Sequence, residues 1–337
     1  MVSSYEANIL NQPTEWRRLL NTQLPAELKN IGHNRIIFVG IGSSYCIACL
    51  ARLLWTKYVT TLSINPDRTF SPVEPLSVES FDFVKSQYIL SNNDIVVVFS
   101  HRGSKTYSTQ ALETAKNYGA RTILITGIAS PTNYNADLRI ETCSQENSEA
   151  FTISVTSAIV RIIQWIGLYN TFLLDKLKST IKVIEEQFPF QIQQLPRFIA
   201  NFVIVGDLYR EIVAREIAFK VAETSYLPVR SFGLEEFLHG PNITLNRHSS
   251  VLIFSSLSEP RRDSLIKYAK TVGSEVISID EERFGVAQEF GWLAQLLWGQ
   301  QMALELSKQL QTNPDIARED QYIYKKAKKA LEIRNKE

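Results

Sequence analysis

Glu216, Lys220 and Glu223 are spaced by four and three residues, so on a helix they share one face and set a cation between two carboxylates. Such a triad suits general acid–base chemistry. A carboxylate whose pKa is lifted by a partly dry pocket can take a proton from carbon and return it, and an ammonium one turn away supports the charge that develops. The plainer alternative is an exposed Lys220–Glu223 pair contributing about a few tenths of a kcal/mol to the helix. His239, followed by the Gly240-Pro241 turn, is a second proton carrier, because imidazole titrates near neutrality. Two other stretches suit an anion. Gly40-Ile41-Gly42-Ser43-Ser44-Tyr45 offers backbone N–H groups, two hydroxyls and the positive end of a helix dipole, and Ser100-His101-Arg102-Gly103-Ser104-Lys105-Thr106 repeats this with two added cations. Hydroxyls at one strand–helix junction read simply as N-caps. Two such loops at adjacent strand ends converge on one point, which selects Ser43, Ser44, Ser100, His101, Arg102, Ser104 and Lys105 as phosphate or substrate ligands. His33 and His248 precede strands and read as surface or capping groups.

The elements that must hold these groups recur. Ile36–Gly40 and Phe202–Gly206 are each a buried-strand run ending at a Gly before a helix-like stretch, with second strands at Asp94–Ser100 and Ser250–Ser256 and third strands at Thr122–Thr126 and Glu275–Ile279. Short, continuously apolar, β-branched strands are what a parallel sheet covered on both faces requires. The pattern predicts an α/β protein of two doubly wound parallel-sheet domains related by internal duplication. The expected boundaries are a helical arm over 1–33, a first domain with a long linking helix over 34–190, a second domain over 191–310 and a tail over 311–337. Pro13 reads as lying near a helix start, residues 150–187 as one helical stretch, and the segment after Pro314 as irregular.

A length of 337 residues with 45% apolar residues supports two ordinary cores, and a net charge of +1 with interspersed signs points to no nucleic-acid partner. No apolar run is long enough to span a bilayer and the first residues do not form a secretory signal, so a cytoplasmic protein is expected. Three cysteines fit reduced thiols, and the Cys46-x-x-Cys49 pair lacks the second pair a zinc site needs, so no metal is expected. The third Gly of a dinucleotide fingerprint falls at Cys46 and no acidic residue ends the next strand, so no nucleotide cofactor is expected either. The apolar helices Phe151–Leu174 and Phe290–Leu310 carry more apolar residues than one sheet face needs, which predicts a homodimer.

The loops and helix motifs together resemble the SIS (sugar isomerase) family, a flavodoxin-like fold, and the paired units resemble the isomerase portion of glutamine–fructose-6-phosphate aminotransferases. The most specific parts are Gly42-Ser43-Ser44-Tyr45, Ser100-His101-Arg102-Gly103 where the family has Ser-x-Ser-Gly-x-Thr, Ala150-Phe151-Thr152, Lys220-Val221-Ala222-Glu223-Thr224-Ser225-Tyr226, and Glu235 to Pro241 matching Glu-x-x-x-His-Gly-Pro. The resemblance implies a cofactor-free enzyme on a sugar phosphate. Glu223 shuttles a proton between C1 and C2, His239 opens the sugar ring from a partner chain at a subunit boundary, Glu216 binds sugar, and His101, where the family often has Gln, binds substrate. It also implies a lysine near the end that closes over the sugar, for which Lys325 is the candidate. The sequence departs from the pattern in several places. Arg102 and Lys105 replace a Ser and a Thr, Asn147-Ser148-Glu149 stands where the family tends to have Ser-Thr-Lys, and neither a glutaminase-like segment nor an N-terminal Cys precedes residue 36. The expected activity is therefore aldose–ketose isomerisation, or isomerising deamination or deglycation, of a phosphorylated ketose or amino sugar. The alternatives are a non-catalytic sugar-phosphate sensor, or a synthase-type aminotransferase using free ammonia or a separate glutaminase.

Overall fold

The computed structural model describes residues 2–30, 34–60, 73–86, 88–131 and 135–331; His33 lies outside them. The first sheet contains β1 (Arg35–Gly40), β2 (Leu76–Glu79), β3 (Asp94–Phe99), β4 (Arg121–Thr126) and β5 (Leu138–Glu141) in the order β2-β1-β3-β4-β5. The second contains β6 (Phe202–Gly206), β7 (Val229–Gly233), β8 (Ser250–Ser255) and β9 (Glu275–Asp280) in the order β7-β6-β8-β9. Every pairing is parallel. The shared 2-1-3-4 order gives two copies of one α/β unit, each with its strand order reversing between its first and third strands.

Eleven helices cover the sheets among the described residues: α1 (Ser4–Leu20), α2 (Ser43–Trp55), α3 (Ser80–Lys85), α4 (Thr106–Asn117), α5 (Ile153–Ile166), α6 (Thr171–Gln187), α7 (Tyr209–Ser225), α8 (Leu234–Leu238), α9 (Pro260–Thr271), α10 (Gly291–Gln309) and α11 (Tyr322–Lys328). The outer face of the first sheet packs on α3 and α4, and that of the second on α8 and α9. The inner faces merge into one continuous core through α1, α2, α5, α7 and α10. Every residue of α5 is buried within the chain, so the apolar surplus that predicted a dimer is spent on the seam between the units and on α1, and does not call for a second subunit.

Three local readings are corrected. The stretch over 150–187 is two helices, because the chain turns after Gly167 and Asn170 caps α6 by accepting from the Leu173 N–H at 3.2 Å. Pro13 lies inside α1, which starts at Ser4 with Ser3 as its cap. A proline there frees the carbonyl four residues back, and the Gln12 side-chain amide donates to that carbonyl, on Ile9, at 3.4 Å. The tail carries α11, and Asp315 accepts the Ser4 and Tyr5 N–H groups at 2.9 and 2.8 Å, so tail and first helix meet.

Candidate active site

The β1–α2 turn is tight because Gly40 lacks a side chain: a Cβ there would lie 2.2 Å from the Ser44 carbonyl oxygen. Gly42 follows at φ +56°, a conformation that favours glycine. This turn and the end of β3 enclose a cavity of about 20 Å³ lined by Ser43, Ser44, Ser100, His101 and Ser154 together with apolar side chains. That is room for one water, so a phosphate requires the loops to part. The buried Ser100 hydroxyl has no hydrogen-bond partner among the described residues, which leaves it for a ligand.

His101 accepts the Glu146 N–H on Nε2 at 3.2 Å, which puts its proton on Nδ1. Burial and then the Arg102 charge lower its pKa to about 4, so the ring is neutral at physiological pH. The loop's cations point elsewhere. Arg102 lies over the Phe151 ring at 4.9 Å and pairs with Glu149 at 3.3 Å, while Ser104 and Lys105 are exposed and do not line the cavity. Of the expected phosphate ligands, the structure gathers Ser43, Ser44, Ser100 and His101.

The acidic helix face is α7. Lys220 is 1% exposed and Glu216 2%, whereas Glu223 is 41% exposed. The Lys220 ammonium lies 2.6 Å from Glu223 and 3.5 Å from Glu216. Burial pulls the Lys220 pKa down, but Glu223 and Glu216 more than offset it and hold it above the ordinary lysine value. Enclosed in this way, the Lys220 ammonium faces the two carboxylates. Glu216 has no hydrogen bond on either oxygen among the described residues, and burial, opposed by Lys220, lifts its pKa to about 7.

Glu146, which the sequence reading passed over, belongs to the same neighbourhood. Its buried carboxylate accepts the Thr152 and Ser154 N–H groups at 3.0 and 2.9 Å and the Asn8 amide at 3.0 Å, and burial raises its pKa. The pKa of buried Tyr5, from α1, is raised by burial and then by Glu223, Glu216 and Glu146, which places all four groups together. The motif match ran past Glu146 because a lone acid among hydroxyl residues carries no periodic signal.

Glu223 opens onto a cleft of about 430 Å³ that it shares with Tyr226, Arg318 and Tyr324. Arg318 is sandwiched at 4.4 Å from the Tyr226 ring and 4.7 Å from the Tyr324 ring. His239 is elsewhere: its side chain is 73% exposed, its Nδ1 sits 2.8 Å from the Glu235 carbonyl oxygen, and nothing joins it to Glu216, Lys220 or Glu223 among the described residues. Lys325 is exposed, and the tail lysine that reaches the loops is Lys328, 3.9 Å from Glu149.

A folded carboxyl whose pKa is raised binds its proton more tightly than the unfolded chain does. Glu216 therefore removes stability as pH rises from about 4.5 to about 7, with no further change above. Glu216→Gln is expected to abolish that loss, on the order of a few kcal/mol, so the variant's melting temperature should gain on the parent's between pH 5 and pH 8. Parallel melting profiles would mean that Glu216 does not titrate in this window.

A family model described as the SIS domain matches residues 82–165. The glutamine–fructose-6-phosphate aminotransferase (isomerizing) of Clostridium acetobutylicum is 24% identical over 277 residues, covering 76% of this chain and 43% of that protein. The chain thus spans about two fifths of the length of the curated relatives it matches. Two solved structures superpose with a TM-score of 0.73: glucosamine-6-phosphate deaminase from Thermotoga maritima (17% identity, 93% of this chain and 97% of that one) and the C-terminal domain of glucosamine-fructose-6-phosphate aminotransferase from Francisella tularensis (15% identity, 94% and 98%). Residues 82–165 thus match the SIS-domain model, and the chain is similar to part of the isomerizing aminotransferases. No helix among the described residues is long and apolar enough to cross a membrane.

Proposed function

We propose that this protein is a phosphosugar enzyme that moves a proton between C1 and C2 of an open-chain ketose phosphate or amino-sugar phosphate. Glu223 takes the proton from one carbon, leaving an enediol or enolamine, and returns it to the other. The observation that carries this reading is the buried Lys220 bound to the half-exposed carboxylate of Glu223 at the mouth of a cleft. Enclosing an ammonium costs several kcal/mol before its partners offset it. A sensor that only grips phosphate has no use for that arrangement, whereas a base that must be aimed does. Ser43, Ser44 and Ser100 receive the phosphate once the β1–α2 and β3–α4 loops part, and neutral His101 offers its Nδ1–H to a substrate oxygen.

The likeness to a glucosamine-6-phosphate deaminase and to an isomerizing aminotransferase favours an amine at C2 in one of the two sugars. Incubation with a panel of aldose, ketose and 2-amino-aldose 6-phosphates, followed by NMR for ketose and free ammonia, tests the reading. If no member exchanges a C1 or C2 proton, the enzyme assignment falls.

The exposed ring of His239 opens substrate in a second copy of the chain in this proposal. Two separately inactive proteins, Glu223→Gln and His239→Asn, should then regain part of the parent activity when mixed, up to about one quarter if subunits exchange freely into dimers with one intact site. Demonstrated exchange without recovered activity would assign both groups to the same chain.

A further inference from the structure

The second sheet has its own cleft at the point where ligands enter open parallel sheets. Its strand order reverses between β6 and β8, and outside their carboxyl ends lies a cleft of about 340 Å³, within the size range of small-molecule sites. The junction copies the one in the first unit. A Cβ on Gly206 would lie 2.1 Å from the Arg210 carbonyl oxygen, and Leu208 stands at φ +47°, where the first unit has Gly42. A leucine in that conformation is strained, and the turn is nevertheless kept.

The chemistry of the cleft is the reverse of a phosphate cradle. The carboxylate of Glu282 accepts the Leu257 N–H at 3.0 Å and the Ser256 hydroxyl at 2.5 Å, so a side-chain anion already takes the donors of the β8 loop. Arg210, the cation nearest the turn, is pinned by Asp207 and by Glu281 at 2.6 Å. Lys57, Arg210, Glu281 and Glu289 all line the cleft, so its lining charges balance, while Asp207, paired with Arg210, and Glu282, bonded to Ser256, add negative charge next to the lining residues. The remaining wall is aromatic and hydroxylic: Tyr209 stacks on Trp292 with ring centres 5.7 Å apart, and Ser258 and Gln288 stand exposed at the rim.

We propose that this cleft is a second ligand site, for an uncharged sugar without phosphate, lying against the Tyr209–Trp292 wall and hydrogen-bonded by Ser258, Gln288 and the Arg210–Glu281 pair. Aromatic faces beside paired charges and hydroxyls suit a polyol, which brings donors, acceptors and C–H faces but no net charge. The site is independent of the acid–base cluster on α7, so it stands or falls apart from the activity proposed above.

The full chain would be titrated with glucose, N-acetylglucosamine and glucose 6-phosphate by calorimetry and saturation-transfer NMR. At least one neutral sugar is expected to bind saturably. Ser258→Trp, at an exposed position, should weaken that binding at least tenfold with an unchanged melting temperature, and Gln288→Arg should weaken it severalfold. Glucose 6-phosphate should not displace the neutral sugar. The inference is overturned if neither neutral sugar binds, if both variants bind as the parent does, or if the 6-phosphate competes.

Discussion

Glu223→Gln is expected to lower kcat by roughly two to four orders of magnitude while leaving sugar-phosphate affinity within a few-fold of the parent. Gln keeps the shape, still lines the cleft and still accepts from the Lys220 ammonium, but it cannot take a proton from carbon. The phosphate ligands proposed above, Ser44 and Ser100, lie on other elements, so binding would keep its own support. Calorimetry on the variant combined with NMR of solvent deuterium at C1 or C2 separates the two effects. Exchange at the parent rate in Glu223→Gln would remove the proposed shuttle and bring the sensor reading forward.

Lys220→Met should produce the largest loss of stability, because it removes the one ammonium that faces both Glu216 and Glu223 and leaves a buried carboxylate uncompensated. Breaking a buried pair in this way costs about 3–5 kcal/mol. Glu216 has its pKa lifted to about 7 and can escape part of that cost by taking up a proton, so the variant should lose more stability at pH 8 than at pH 6. Activity gives a second readout. Without the neighbouring ammonium nothing among the described residues aims the Glu223 carboxylate, so kcat should fall while sugar-phosphate KM stays within a few-fold of the parent. A variant with parent-like chemistry at every pH would leave Lys220 with a packing role only.

Which of these features the sequence shows depends on how locally each is determined. β1, β3, β4, β6 and β8 are legible because each is a nearly continuous apolar run, as burial on both faces demands, and the edge strand β9 is legible from Val276, Ile277 and Ile279 although Glu275, Ser278 and Asp280 interrupt it. The edge strands β2, β5 and β7 are not, since Leu76–Glu79, Leu138–Glu141 and Val229–Gly233 mix charged or polar residues with apolar ones over four or five positions. The α7 triad is legible from its spacing alone, but not that Lys220 would be enclosed while Glu223 stays half-exposed, because elements distant in sequence, α10 and α2 among them, pack against α7. The direction of Arg102 was hidden for a similar reason: Phe151 and Glu149, about fifty residues away in sequence, draw it off the cavity. A surplus of apolar residues in α5 does not reveal whether a second subunit or the chain's own N-terminal helix covers it.

The cap on α1 carries a consequence for biosynthesis. Tyr5 and Asp315 are separated by 310 residues, so at about 5–20 residues per second α1 emerges from the ribosome about 15–60 s before the carboxylate that caps it. Tyr5 itself is fully buried, and its hydroxyl donates to the Gln300 carbonyl at 3.3 Å. Until Asp315 arrives, the first turn of α1 lacks that second cap and has only Ser3, which accepts the Glu6 N–H at 3.1 Å, together with the packing of its apolar face. An incomplete chain ending before residue 315 therefore lacks the contacts that tie the Ser4 and Tyr5 N–H groups to the tail.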